Sequence, residues 1–431
     1  MSPNDGVDGD VSRAEAEDAE VSGDVAYRPG SARAALSHPA YRSVWFGSFA
    51  SNIGTWMQNV ALGAFAYELT QSPRYVAALS FAQLGPMLLL SIVSGFLADS
   101  VNRKVMLCIA QGQQLLMSLA LAWAASRSEP SPRLIFVIVL IIGVGNAAAG
   151  PVFAAVMPSL VGKRDLPGAI SLQSLQLNLS RVIGPAIGGV LLPAFGAPVL
   201  FVINAATYVF VIAAVVRVDL PRPYPDLGES GMRRLLGGIA VARREPVVRA
   251  CLITIAVVSF FCLPFVGLLP VIAEERLGID TQGPGYGVLY ALFGLGAATG
   301  AISIGTVLYK AHKPTVMRVA LLAFGGLLVP FGLLRVAAPA YPLIFAIGTA
   351  YFMGVTALST VLNQHLNEQV RGRVMALWMM AFGGTVPLGT LAAGAVVQAT
   401  SISVVVIAGG LCGLALASWH LARPAALGRR A

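Results

Sequence analysis

Runs of about 20 apolar residues recur along most of this chain between short polar breaks. Each is long enough to cross a hydrocarbon core of about 30 Å as a helix. They predict spans over 44–68, 76–98, 105–125, 134–158, 170–193 and 198–217, then 249–272, 285–308, 316–336, 341–364, 373–397 and 402–422. The short alternating segments of a membrane β-barrel do not occur. Most gaps are short, so successive helices are expected to be antiparallel neighbours. The exception is 218–248, with Pro221, Pro223 and Pro225 and a basic stretch containing Arg233, Arg234, Arg243 and Arg244. It divides the spans six and six. The expected fold class is therefore an all-α membrane protein of twelve transmembrane helices in two pseudo-symmetric halves, at 37–217 and 249–423. Residues 1–36, rich in Asp, Glu, Ser, Gly and Ala, are expected to be a disordered tail, and 424–431 a short second one.

Loop cations are one-sided. Arg28, Arg33, Arg42, Arg103, Lys104, Lys163, Arg164, the seven arginines from Arg217 to Arg249, Lys310, Lys313, Arg318, Arg371, Arg373, Arg423, Arg429 and Arg430 fall on one side. Arg74, Arg127, Arg133, Arg276 and Arg335 fall on the other. The positive-inside rule then places both termini and the 218–248 loop in the cytoplasm. The preference for Arg over Lys hints at a GC-rich bacterial genome, so a multi-pass protein of the bacterial plasma (inner) membrane is expected.

Composition narrows the function. The chain is 56% hydrophobic and 11% charged, against about 25% charged in soluble proteins. Its net charge of +9 does not argue for nucleic acid, because the basic residues sit in loops between spans. Cys108, Cys251, Cys262 and Cys412 lie inside apolar spans without ligand-like spacing and read as small buried hydrophobes. No cleavable signal peptide is visible. No Walker A pattern, His-rich metal cluster, nucleophile elbow or pair of acids at depth occurs, so neither an enzyme nor a cofactor or metal is expected. A small-molecule substrate and the lipid bilayer are the expected partners, and a monomer is the expected state.

One hydrophilic run stands out between spans two and three, Gly95-Phe-Leu-Ala-Asp99-Ser-Val-Asn-Arg103-Lys104. A carboxylate and two cations at a membrane surface suggest a charged latch. The plain alternative is that Arg103 and Lys104 merely hold the loop inside, which leaves Asp99 unexplained. The halves also echo each other. A shift of 210 sets Gly95 on Gly305, Asp99 on Tyr309 and Arg103 on Lys313, and a shift of 205 sets Gly184 on Gly389 and Gly189 on Gly394. Parallel repeats of six helices are a transporter architecture.

On these residues the chain resembles the major facilitator superfamily over roughly 38–423. Gly95, Asp99, Arg103 and Lys104 match its loop motif Gly-x-x-x-Asp-(Arg/Lys)-x-Gly-(Arg/Lys)-(Arg/Lys), with Ser100 and Asn102 departing from it. Gly184-Pro185-Ala-Ile-Gly188-Gly189 matches the core of its antiporter motif, while Gln176 and Ser180 replace that motif's upstream glycines. Val370-Arg-Gly-Arg-Val-Met-Ala-Leu377, Tyr41-Arg-x-x-Trp45 and Trp56-Met-Gln58 are similar to the bacterial branch of macrolide and enterobactin exporters, the transmembrane secretion effector type. The resemblance implies a major facilitator fold and secondary active efflux of amphiphilic small molecules (drugs, macrolide-like compounds or siderophores) by alternating access. Proton antiport is one coupling mode it allows. A nutrient importer or lipid translocator fits the same architecture, and a non-transporting sensor or scaffold is the reading from another class. In the family the loop aspartate approaches the amino end of helix eleven, here near Arg371 and Arg373, forming a cytoplasmic gate.

Arg181 is a full charge near the middle of a span, where even lenient insertion scales charge about 2.5–3.5 kcal/mol. It should face a cavity or protein, binding an anionic substrate group or the carbonyl freed by Pro185. Asn52, Thr55, Trp56 and Asn59 form a stripe at helical spacing, and Asn146, Gln173, Gln176 and Asn178 are further polar candidates. Phe261, Phe265, Trp378 and Met379 are candidates for an apolar cavity wall. No acid lies at mid-membrane, so no coupling residue is assigned.

Overall fold

The computed structural model describes residues 27–88, 102–218, 220 and 231–422. Its helices, in chain order, are α1 (Ala32–Ser37), α2 (Pro39–Thr70), α3 (Pro73–Leu84), α4 (Arg103–Ala125), α5 (Pro132–Ser159), α6 (Leu166–Arg217) and α7 (Gly231–Arg244). They continue with α8 (Pro246–Val257), a π-turn (Val258–Cys262), α9 (Pro264–Gly267), α10 (Leu269–Leu277), α11 (Pro284–Gly305), α12 (Lys313–Leu333) and α13 (Ala340–Gln364). The last are α14 (Glu368–Met379), a second π-turn (Met380–Gly384), α15 (Thr385–Ala399) and α16 (Ile402–Ala422). Among the described residues nine helices are long and apolar enough to cross a membrane. Ten of the twelve expected spans fall on these nine helices, two of them sharing α6; the other two fall on α2 and, as far as residue 88, on α3 and the turn after it.

Spans five and six both lie in the 52-residue α6, and Gly196 breaks it with φ 73° and ψ 166°, a conformation open essentially to glycine alone. The contacts of α2 show that the chain reverses there. Tyr41, Trp45 and Trp56 meet Ala169, Leu172 and Gly184 in rising order, whereas Gly47 and Gly54 meet Phe210 and Asn204 in falling order. Likewise α8 and α16 run antiparallel, Thr254 meeting His420 and Cys262 meeting Gly409. One end of the molecule thus gathers the 28–38, 165, 218, 246 and 422 regions, and these carry the loop cations.

Glycine contacts bear out the internal repeat. Gly184 of α6 abuts Ile53 and Trp56 of α2, and Gly389 of α15 abuts Phe260 of the first π-turn. Gly189 lies against Gly287 of α11, and Gly394 lies against Ala77 of α3. Residues matched by the 205 shift therefore touch equivalent helices of the two halves. Arg103 and Lys313 are each the first residue of their helix, as the 210 shift requires. Gly189 and Gly287 also join the halves to each other: a Cβ on either would overlap the other's backbone, so only glycine permits this approach.

The tail expectation fails for its last residues. Its residues 32–36 belong to the helix Ala32–Ser37, capped by the Ser31 side chain, with Ala34 and Ala35 buried. So short a helix is unstable alone. It persists because Asp165 accepts from Gly30 N–H at 3.0 Å and pairs with His38 Nε2 at 2.9 Å. These contacts, the backbone one first, hold the Asp165 carboxyl below its ordinary range.

Candidate functional site

Arg181 lies one turn before Pro185 on α6. Pro185 has no N–H, so the Arg181 carbonyl loses its helical donor. That carbonyl faces Gly294 of α11, where a Cβ would overlap it. On the other side of α6, a Cβ at Gly184 would come within 2.5 Å of Trp56 Cβ. The small residues thus draw α2 and α11 against α6 at one depth. The Arg181 Cζ stands 5.6 Å from the Trp56 ring centre and 5.0 Å from that of Phe352 on α13, both within cation–π range. Trp56 belongs to the first half and Phe352 to the second.

Among the described residues Arg181 makes no hydrogen bond or ion pair. It is half-buried, and its nitrogens are absent from the enclosed polar atoms that lack a partner, so they open onto reachable space. The Tyr351 hydroxyl, buried without a partner, lies within electrostatic range of the guanidinium.

The polar stripe of α2 divides. Trp56 turns to Arg181, and Asn52 is half-buried. Thr55 Oγ1 lies 3.2 Å from Tyr208 Oη, and Asn59 accepts from Gln83 Nε2 at 2.6 Å. Asn146 accepts from Gln114 Nε2 at 2.6 Å and is exposed at the span surface. Gln176 is buried one turn before Ser180, whose hydroxyl donates to the Gln176 carbonyl.

Two of the expected wall residues are buried in packing positions. Phe265 is buried in edge-to-face contact with Phe293 and Phe331, and Trp378 is buried in the main apolar core. These are packing positions of the second half. Phe261 is exposed on the π-turn, with its backbone against Gly409 of α16. The extra residue of a π-turn re-aims the side chains around it, which spacing counted at 3.6 residues per turn misplaces.

Of the gate residues, Gly95 and Asp99 lie outside the described residues. Asn102, the departure from the loop motif, caps α4 by accepting from the N–H groups of Lys104 and Val105. Arg103 and Lys104 are half-buried, and Arg371 is exposed. Arg373 packs on Gly237 and Gly238 of α7, so the central loop contributes a helix to this end. In the second half, Lys313 Nζ folds back onto the carbonyls of Leu308 at 2.5 Å and Tyr309 at 3.1 Å.

Two groups were missed by sequence reasoning. A buried network joins Gln58 Oε1 to Ser118 Oγ at 3.0 Å and to Asn204 Nδ2 at 2.8 Å, tying α2, α4 and the second arm of α6 together. At the end opposite the cations, Tyr67 Oη donates to Glu275 Oε1 at 2.8 Å and Gln282 Nε2 to Glu68 Oε2 at 2.5 Å, each joining the two halves.

Known proteins resemble this chain in sequence and in fold. The family described as transmembrane secretion effector matches residues 30–425. The enterobactin exporter EntS of Escherichia coli O81 (strain ED1a) is 28% identical over 348 residues, covering 79% of this chain and 81% of that protein. EntS of Shigella boydii serotype 18 (strain CDC 3083-94 / BS512) matches to the same extent. Among solved structures, the nucleoside transporter NupG aligns with TM-score 0.70 at 13% identity, covering 91% of this chain and 100% of that one. A bacterial homolog of the human lysosomal transporter Spinster, inward-facing and unoccupied, aligns with TM-score 0.65 at 14% identity, covering 90% and 96%. The chain belongs to the transmembrane secretion effector family of major facilitator superfamily transporters.

Proposed function

We propose that this transporter exports amphiphilic small molecules across the bacterial inner membrane by alternating access of two six-helix halves. The observation that carries the reading is Arg181, an unpaired guanidinium at mid-span, flanked by a ring from each half. A charge at that depth is retained where it serves a cavity. The likeness to the enterobactin exporter EntS supports export of siderophore-like cargo. On this reading the twelve spans have both termini in the cytoplasm, and the cation-rich end is the inner one.

The tight meeting of the halves then lies on the outer side and at the midplane, through Gly189–Gly287, Tyr67–Glu275 and Gln282–Glu68. Closure of that end is what an inward-facing state requires. On the family resemblance, Asp99 would close the inner side in the opposite state by meeting the start of α14 near Arg371 and Arg373. Proton antiport is one coupling mode this reading allows.

The test is export of a panel of fluorescent drugs and siderophores from cells, beside thermal unfolding of purified protein. Arg181→Ala is expected to abolish export while leaving expression and melting unchanged. Wild-type export rates in this variant would refute the site, and a wild type that moves nothing in the panel would refute the exporter reading.

A further inference from the structure

The reading of Arg181 as a cavity residue leaves open which cargo it selects, and the surroundings of the guanidinium narrow the choice. A guanidinium presents five N–H donors in a fixed planar fork. None of them meets an acceptor among the described residues, and the nitrogens remain reachable. The Trp56 and Phe352 rings stabilise the charge through their faces, yet they offer no lone pairs to the fork. No described carboxylate forms an ion pair with it: Glu68, Glu274, Glu275 and Asp280 stand at the end away from the loop cations, and Asp165 is engaged by Gly30 and His38. The site therefore combines an uncompensated positive charge, an unfilled bidentate donor and two aromatic surfaces.

Resting on the exporter reading's cavity, we infer that the ligand is an amphiphilic organic anion. Its carboxylate, phenolate or comparable oxyanion pairs with the Arg181 fork, and its apolar or aromatic body lies along Trp56 and Phe352. A cationic amphiphile meets the same rings but is repelled by the guanidinium, so the site selects against it. Arg181 acts here as a specificity-determining residue, because the fork matches an oxyanion in geometry as well as in sign.

Three dansyl probes of similar body and different charge test this on the full-length protein in lipid nanodiscs: dansylglycine, its neutral amide and dansylcadaverine. Binding is read by energy transfer from tryptophan to the dansyl group. Wild type is expected to bind the acid roughly 10- to 100-fold more tightly than the amide, the range that charged hydrogen bonds supply. The cation is expected to bind most weakly. Arg181→Gln should bind acid and amide alike at an unchanged melting temperature, and Arg181→Lys should keep only part of the preference. Equal binding of the amide or the cation by wild type, an acid preference that survives in Arg181→Gln, or no binding of the acid would overturn the inference. Should Arg181→Gln fail to fold, Arg181→Lys decides: a several-fold loss of preference supports the fork, and a wild-type preference contradicts it. Acid-selective, Arg181-dependent binding without export by cells would leave the anion site standing and refute the exporter reading alone.

Discussion

Buried polar residues carry the sharpest consequences for single substitutions. Gln58 Oε1 accepts from both Ser118 and Asn204 in the interior of the first half. Gln58→Leu removes that acceptor, leaving the buried Ser118 hydroxyl without it and Asn204 Nδ2 with only the longer bond to Tyr208 Oη at 3.4 Å, a penalty of about 1–3 kcal/mol. A lower melting temperature of the purified protein is expected, and an unchanged one would show that the network is not stabilising. Asp165 gives a pH-dependent case. Its folded pKa is depressed, chiefly by Gly30 N–H and then by His38, so its contribution is fully present above the unfolded carboxylate value of about 4. It is lost as pH falls through the lower folded value. Asp165→Asn should speed hydrogen exchange over residues 27–38 at neutral pH, and exchange equal to wild type would contradict the anchoring role. Arg181 was legible in the sequence because a charge in an apolar span is costly wherever it occurs. Phe352 was not, because a partner in the other half leaves no mark in local spacing. The Gln58 network hid for a related reason: its members lie 60 and 146 positions from Gln58.

At the scale of elements, apolar length predicted the spans because the bilayer imposes it directly. Gly196 falls in the gap expected between spans five and six, where its backbone conformation makes the break. The two π-turns were illegible, since they add a residue without altering composition. The helix at Ala32–Ser37 was illegible too, because docking against α6 rather than propensity sustains it. The Gly-Pro-x-x-Gly-Gly motif acts as a smooth face: Gly184 admits Trp56, and Gly189 admits Gly287. Gly189→Leu is expected to hold the halves apart at that contact. Labelling of cysteines placed at Gln71 and Asp280 should then rise without loss of membrane insertion. Labelling equal to the parent would show that this contact does not close its end of the molecule.

For the whole molecule, the repeat visible in glycine spacing returns as equivalent helix contacts, Gly184 with α2 and Gly389 with the α8 continuation. Orientation is the remaining global claim. Reporter fusions at Thr70 and Asp280 should behave as external and one at Leu227 as internal, and an internal reading at Asp280 would break the two-half topology. The inner gate predicts that Asp99→Asn weakens an anion's contact with the start of α14, by about 0.3–1 kcal/mol if exposed and up to about 2 if partly buried. Cytoplasmic access to the cavity should rise, and unchanged access would reduce Asp99 to a loop residue.

The most direct measurement of the central claim is the direction of transport in membrane vesicles. With fluorescent amphiphiles supplied outside, everted vesicles carrying the wild-type protein should accumulate them, right-side-out vesicles should not, and Arg181→Ala should abolish the accumulation. Accumulation confined to right-side-out vesicles, or undiminished in Arg181→Ala, would contradict the account.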